Sequence, residues 1–209
     1  MPGYLTIARD GQAEIEVKRS RFLCTLRRVE DEATARAVVV RVRKEFWDAR
    51  HHCSAFVLGP PPSPVERTSD DGEPAGTAGA PMLEVLRGKP VSDVVAVVTR
   101  WFGGTLLGAG GLVRAYSDSV RVALDEVGTL RRELLGEWTV TVPYDGAGRL
   151  ENEVRAAGVA VLETVYGELV TLRLGVPAAD RPRLAALVAG VTAGGAELES
   201  AGERWVDRV

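Results

Sequence analysis

Cysteine and histidine are almost missing from this chain. Its 209 residues hold two cysteines, Cys24 and Cys53, and two histidines, His51 and His52. Two thiols do not make a disulfide framework, which takes more cysteines and an oxidising compartment. Both lie in apolar stretches and read as buried, reduced thiols. His51, His52 and Cys53 are consecutive, and neighbouring strand residues point to opposite faces. A shared zinc ion is therefore not expected there, and no metal or cofactor is assigned. Ser54 and Ser69 stand outside any G-x-S-x-G context, so hydrolase chemistry has no support.

Long apolar runs are also missing. No stretch reaches the roughly 18 residues of a membrane span. Positions 1–20 are interrupted by Arg9, Asp10, Glu14, Glu16 and Lys18, unlike a signal peptide. No membrane association and a cytoplasmic location are expected. Lysine is scarce, at three residues against 23 arginines. With abundant Ala, Gly and Val, that bias reflects GC-rich coding rather than a nucleic-acid signal. The net charge is −3, and its distribution is uneven. Residues 1–135 are close to neutral and residues 136–209 are net acidic, so a polyanion would meet the first part.

What is present is a globular composition, 45% hydrophobic, in a chain long enough to bury a core without cross-links. A breaker-rich stretch covers residues 59–81, and a junction falls at 128–137, which divides the chain into 1–132 and 136–209. In the first part, residues 15–18, 21–26 and 52–58 read as strands. A helix begins at the N-cap Asp31, with Val29, Ala33, Ala37, Val40 and Phe46 as its apolar stripe. The β-branched run Val94–Thr99 reads as a central strand buried on both faces. A helix from Leu112 to Val127 turns Val113, Tyr116, Val120, Ala123, Leu124 and Val127 inward and ends at Gly128. The second part reads β-α-β-β-α-β, a split βαβ arrangement. The fold class expected is α+β.

Two loops carry the candidate site. The first holds Asp70, Asp71, Glu73, Gly76 and Thr77; the second holds Arg100, Gly103, Gly104, Gly108, Gly110 and Gly111, with Arg114 beyond it and His52 nearby. Glycines between a buried strand and a helix permit positive φ and close backbone approach, and the helix start offers free N–H groups to an anion. The spacing is neither that of a dinucleotide fold nor that of a P-loop. Three carboxylates within four positions suit a hard cation, acid/base work or turn capping, but the adjacent Asp-Asp pair breaks the calcium-loop pattern. The two loops are expected to line one cleft.

Together, the strings K-x-S-R-F (Lys18–Phe22), S-D-D-G-E-P-A-G-T-A-G-x-P-M-L (Ser69–Leu83) and R-W-F-G-G-x-x-L-G-x-G-G-L-V-R-A-Y (Arg100–Tyr116) resemble the YigZ/IMPACT family, as does Ala49–Cys53. Thr105 stands where a branched apolar residue is expected. The resemblance implies an N-terminal βα domain like domain two of the fifth small-subunit ribosomal protein. It implies a C-terminal ferredoxin-like domain like domain V of elongation factor G. It also implies a translation-linked regulatory or binding protein rather than an enzyme, contacting RNA, the ribosome or a translation-associated protein. The sheet of the first domain and its two loops would form the contact surface, with Arg100, Arg114 and Arg50 meeting phosphate. The alternatives are an enzyme acting on a small phosphorylated or anionic ligand at the same loops, and a protein-binding role with the acidic second domain as adaptor.

Overall fold

A computed structural model describes residues 3–208. The elements run β1 (Gly3–Ile7), β2 (Gly11–Val17), β3 (Ser20–Arg28), α1 (Glu32–Glu45), β4 (His51–Leu58), β5 (Val65–Ser69), α2 (Gly79–Gly88), β6 (Val94–Trp101), α3 (Ala109–Val127), β7 (Thr129–Val142), α4 (Tyr144–Ala156), β8 (Ala160–Tyr166), β9 (Val170–Val176), α5 (Arg181–Thr192) and β10 (Glu199–Arg208). They make two compact units, Gly3–Arg131 and Arg132–Arg208, each with its own sheet. The class is α+β. Among the described residues, no helix is long and apolar enough to cross a membrane.

In the N-terminal unit the sheet order is β2-β3-β6-β4-β5, antiparallel throughout. The central strand β6 is buried on both faces, as its unbroken β-branched run predicts. Val94, Ala96 and Val98 join one core with Phe22, Met82, Leu86, Leu112, Tyr116 and Val120 from β3, α2 and α3. Val95 and Val97 join another with Val38 and Val42 of α1 and Phe56 of β4. Helices α2 and α3 thus cover one sheet face, and α1 covers β4 and β6 on the other, where Gln12, Glu14 and Glu16 of β2 stay exposed.

Asp31 caps α1, accepting from Thr34 N at 2.7 Å, which satisfies one of the free donors at a helix start. The apolar stripe, however, is rotated from the expected one. Ala35, Val38 and Val42 face the sheet, while Ala33 and Ala37 are exposed and Val40 is 53% exposed. Several apolar stripes run along residues 33–46, and only the shape of the sheet beneath selects one. Val113, expected inward on α3, is likewise exposed. Helix α2 was hidden in the breaker-rich stretch. Pro81 sits in its first turn, where a missing N–H costs nothing, and Met82, Leu83 and Leu86 are buried.

In the C-terminal unit β8, β9, β7 and β10 are four strands of a second, five-stranded sheet, and they follow the order of a split βαβ unit. Its core joins Val140, Val142, Leu172 and Leu174 of the sheet to Leu150, Val154, Leu184 and Val188 of α4 and α5. Glu137 is buried between Arg173 at 2.7 Å and Arg204 at 3.0 Å.

The rotated stripe has a measurable consequence. Val42→Ala lowers unfolding stability by about 1–3 kcal/mol, while Val40→Ala stays within about 0.5 kcal/mol, as read by urea denaturation. Equal effects would restore the stripe expected from the sequence.

Candidate functional site

Strand β6 alternates, so Arg100 points to the same face as Ala96 and Val98, toward α3. There its Nη1 donates to Glu73 Oε1 at 2.6 Å. Tyr116, from α3, donates its hydroxyl to the same oxygen at 2.8 Å. The ion pair is almost wholly desolvated, with side chains 8% and 4% exposed. The Arg100 guanidinium also lies 5.4 Å from the centre of the Phe22 ring, while its Nε has no hydrogen-bond partner. Cys53 Sγ is 3.0 Å from the Asp70 carbonyl and 3.3 Å from the Tyr116 hydroxyl oxygen. Burial pushes the Cys53 thiol up to about 12 and raises Tyr116 further still, helped by Cys53 and Glu73. Both groups keep their protons at neutral pH, so neither is a nucleophile.

The remaining acidic residues are tied to backbone. Burial alone would raise Asp70. Backbone N–H bonds from Gly76 (2.8 Å), Gly79 (2.8 Å) and Ala78 (3.1 Å) outweigh it and hold the carboxyl below the usual range. Asp70 therefore caps α2 from nine residues upstream. Asp71 accepts from His52 N at 2.7 Å and pairs with Arg43, while His51 Nδ1 donates to the Asp71 carbonyl at 2.9 Å. Thr77 donates its hydroxyl to Pro74 O at 2.7 Å. Among the described residues no group of three His, Cys, Asp or Glu is placed to hold a metal.

Gly103 lies against the β2–β3 turn, where an added Cβ would stand 2.0 Å from the Arg19 backbone. Its N–H donates to Ser20 Oγ at 3.1 Å. Gly104 and Gly108 adopt φ of 83° and 72°, and Gly108 precedes α3 without any side-chain cap. Arg114 is exposed and turns its Nε to Gly110 O at 3.3 Å. The expected shared cleft is not what joins the loops. Glu73 and Arg100 meet in the interior, whereas Gly103, Gly104, Gly108, Gly110, Gly111 and Arg114 do not line the cavity beside the acidic turn. That cavity, about 630 Å³, lies between α2 and α3 and takes only Gly76 from the candidate set.

One end of the sheet holds Arg50, expected to meet phosphate, together with residues outside the candidate set. Lys18 and Arg19 form the β2–β3 turn with φ of 47° and 67°, and Arg19 Nη2 donates to Thr105 Oγ1 at 3.0 Å. That bond gives Thr105 a polar task in place of the expected apolar one. Arg21 lies 4.6 Å from the Trp101 ring centre, and Trp101 Nε1 donates to Asp48 at 2.9 Å. Phe46 packs on Trp101 at 5.7 Å. Around this scaffold Trp47, Phe102 and Leu106 are 81%, 49% and 83% exposed. Lys18, Lys44 and Arg50 are exposed, with no acidic partner among the described residues. Single aromatics between polar neighbours give no periodic signal, so only the fold shows that Phe46 packs on Trp101 and leaves their neighbours Trp47 and Phe102 exposed.

The chain thus pairs an arginine-latched N-terminal unit with a split βαβ unit. Residues 18–124 match the model of the Impact N-terminal domain, and residues 140–194 match a domain of unknown function (DUF1949). The chain is 41% identical over 184 residues to IMPACT family member YigZ of Escherichia coli, covering 88% of this chain and 90% of that one. It is 43% identical over 167 residues to IMPACT family member YvyE of Bacillus subtilis, covering 80% and 76%. A crystal structure described as a hypothetical protein superposes with a TM-score of 0.65 at 40% identity, covering 95% and 97%. The chain belongs to the IMPACT family.

Two tests address the interior. Glu73→Leu leaves the Arg100 charge buried and unpaired, and costs about 3–5 kcal/mol. Adding Arg100→Met recovers much of that loss, so a double-mutant cycle by chemical denaturation shows strong coupling; additive losses would mean the pair is solvated. His52 supplies the second. Burial pulls its imidazole below the ordinary value, more than the Phe46 carbonyl and Asp71 raise it. The unfolded chain therefore takes up a proton first, and stability is full above about pH 6.5 and falls as pH drops below it. His52→Gln flattens that slope in pH-dependent denaturation, and His51→Gln leaves it in place.

Proposed function

We propose that this chain is a translation-linked binding protein that contacts RNA through the exposed end of its N-terminal unit. The observation that carries this reading is the exposure of Trp47, Phe102 and Leu106, next in sequence to the packed Phe46, Trp101 and Thr105, together with cations that lack acidic partners among the described residues. Aromatic faces accept unstacked bases of any sequence, and flanking Lys and Arg follow the phosphates. Lys18, Lys44, Arg50 and Arg114 take the phosphate role. Arg100 does not, because it is 6% exposed and occupied by Glu73.

Two further considerations support a binding role in the cytoplasm, where ribosomes work. The N-terminal unit is taken as a relative of domain two of the fifth small-subunit ribosomal protein. The C-terminal unit is taken as a relative of domain V of elongation factor G. Both belong to ribosome-bound proteins. The Cys53 and Tyr116 side chains, the reactive groups nearest the motif, are held protonated and buried, which favours binding over catalysis.

Fluorescence anisotropy with a single-stranded RNA of about 12 nucleotides tests this. Trp47→Ala and Phe102→Ala each weaken binding by about 1–3 kcal/mol. Lys18→Glu lowers the salt slope by about one counterion. Affinity that ignores salt and all three substitutions sinks the proposal.

A further inference from the structure

A second anion surface lies beside α1, in a cavity of about 370 Å³ between that helix and strands β4 and β5. Arg36 and Arg43 are seven residues apart, two turns along one face of α1. Arg67 enters from β5, opposite Phe56 in the register, and Ser69 stands opposite Ser54. All five polar residues line the cavity, with His52 and Thr68. Its apolar wall is Val39, Val40 and Phe56.

The charges inside do not balance. Three guanidinium groups share two carboxylates: Glu32, at 2.6 Å from Arg36 and 4.0 Å from Arg67, and Asp71, bound to Arg43. The Ser54 residue is 7% exposed, and it lines the same cavity, whose positive charge is in surplus.

We propose that this cavity binds a phosphate monoester. Guanidinium forks match phosphate oxygens in pairs, so Arg36, Arg43 and Arg67 hold the phosphate while Ser54 and Ser69 donate to it. Val40 and Phe56 pack against the organic group. The volume falls within the range of small-molecule sites. This proposal does not depend on the RNA surface, which uses other residues.

Isothermal titration of the full chain tests it, with ribose 5-phosphate against ribose and a 5′-phosphorylated pentanucleotide against its 5′-hydroxyl form. At least one phosphorylated probe binds at least tenfold more tightly than its unphosphorylated partner, whose own binding, where it has any, is removed by Phe102→Ala. The tighter of the two shows whether the monoester is free or an RNA terminus. Val40→Asp, at an exposed position, and Arg67→Glu each weaken binding at least tenfold. Glu32→Gln, which frees Arg36 and Arg67, tightens it several-fold, a gain that misfolding cannot mimic. Phe102→Ala leaves it unchanged, so loss of the RNA surface is distinguishable. Equal binding of each probe and its unphosphorylated form, no binding of any probe, or phosphate binding that survives both Val40→Asp and Arg67→Glu overturns the proposal.

Discussion

The ion pair between Glu73 and Arg100 sets the terms for the N-terminal unit. Removing two charges from water costs several kcal/mol per ion, so the pair persists only because its neighbours compensate. Tyr116 gives the carboxylate a second donor at 2.8 Å, and the Phe22 ring lies under the guanidinium. Those contacts pin the acidic turn to the end of β6 and to α3. With the turn pinned, Asp70 is placed to cap α2, and α2 supplies Met82 and Leu86 to the core. One buried charge pair thus orders a sheet strand, two helices and the loop between them. Such a pair is weak support for stability by itself; its contribution is that few other arrangements of these segments satisfy it.

This explains which parts of the fold were legible in the sequence. Strands β3, β4 and β6, the caps at Asp31 and Gly128, and the β-α-β-β-α-β order of the second unit depend on local pattern, and local pattern predicted them. The stripe of α1 did not, because Val38, Val39, Val40 and Val42 offer competing faces and the choice belongs to the sheet. Helix α2 was obscured because the carboxylate that caps it, Asp70, lies nine residues before its first residue while the adjacent Ala78 has no capping side chain. The motif residues were conspicuous in the sequence, yet conspicuousness did not distinguish roles. Glu73 and Arg100 are interior, Asp70 and Thr77 hold turns, and Gly103 allows a close backbone crossing. Trp47, Arg36, Arg43 and Arg67 carry no motif, and only tertiary structure groups them.

The placement of the helices has a functional consequence. Where α1, α2 and α3 cover the sheet no face is left for a partner, so contact surfaces move to the strand ends and to clefts along the helices. The cation-and-aromatic end and the arginine cavity beside α1 are places of those two kinds. Neither uses the glycine loop as a phosphate cradle. The glycines of that loop serve geometry first, letting β6 turn into α3 while the Lys18–Arg19 turn crosses within touching distance.

Net charge is a poor guide to either surface. The chain is acidic overall, but charges separated by more than about 8–10 Å are largely screened at physiological salt. What an approaching phosphate senses is whether nearby cations already have partners. Arg9, Arg21 and Arg87 each face a carboxylate within 3.0 Å and contribute little field. Lys18, Lys44 and Arg50 have none among the described residues, and the three arginines of the cavity share two acids. Binding capacity thus follows from the local surplus at each surface, which pairing geometry sets and which composition alone conceals.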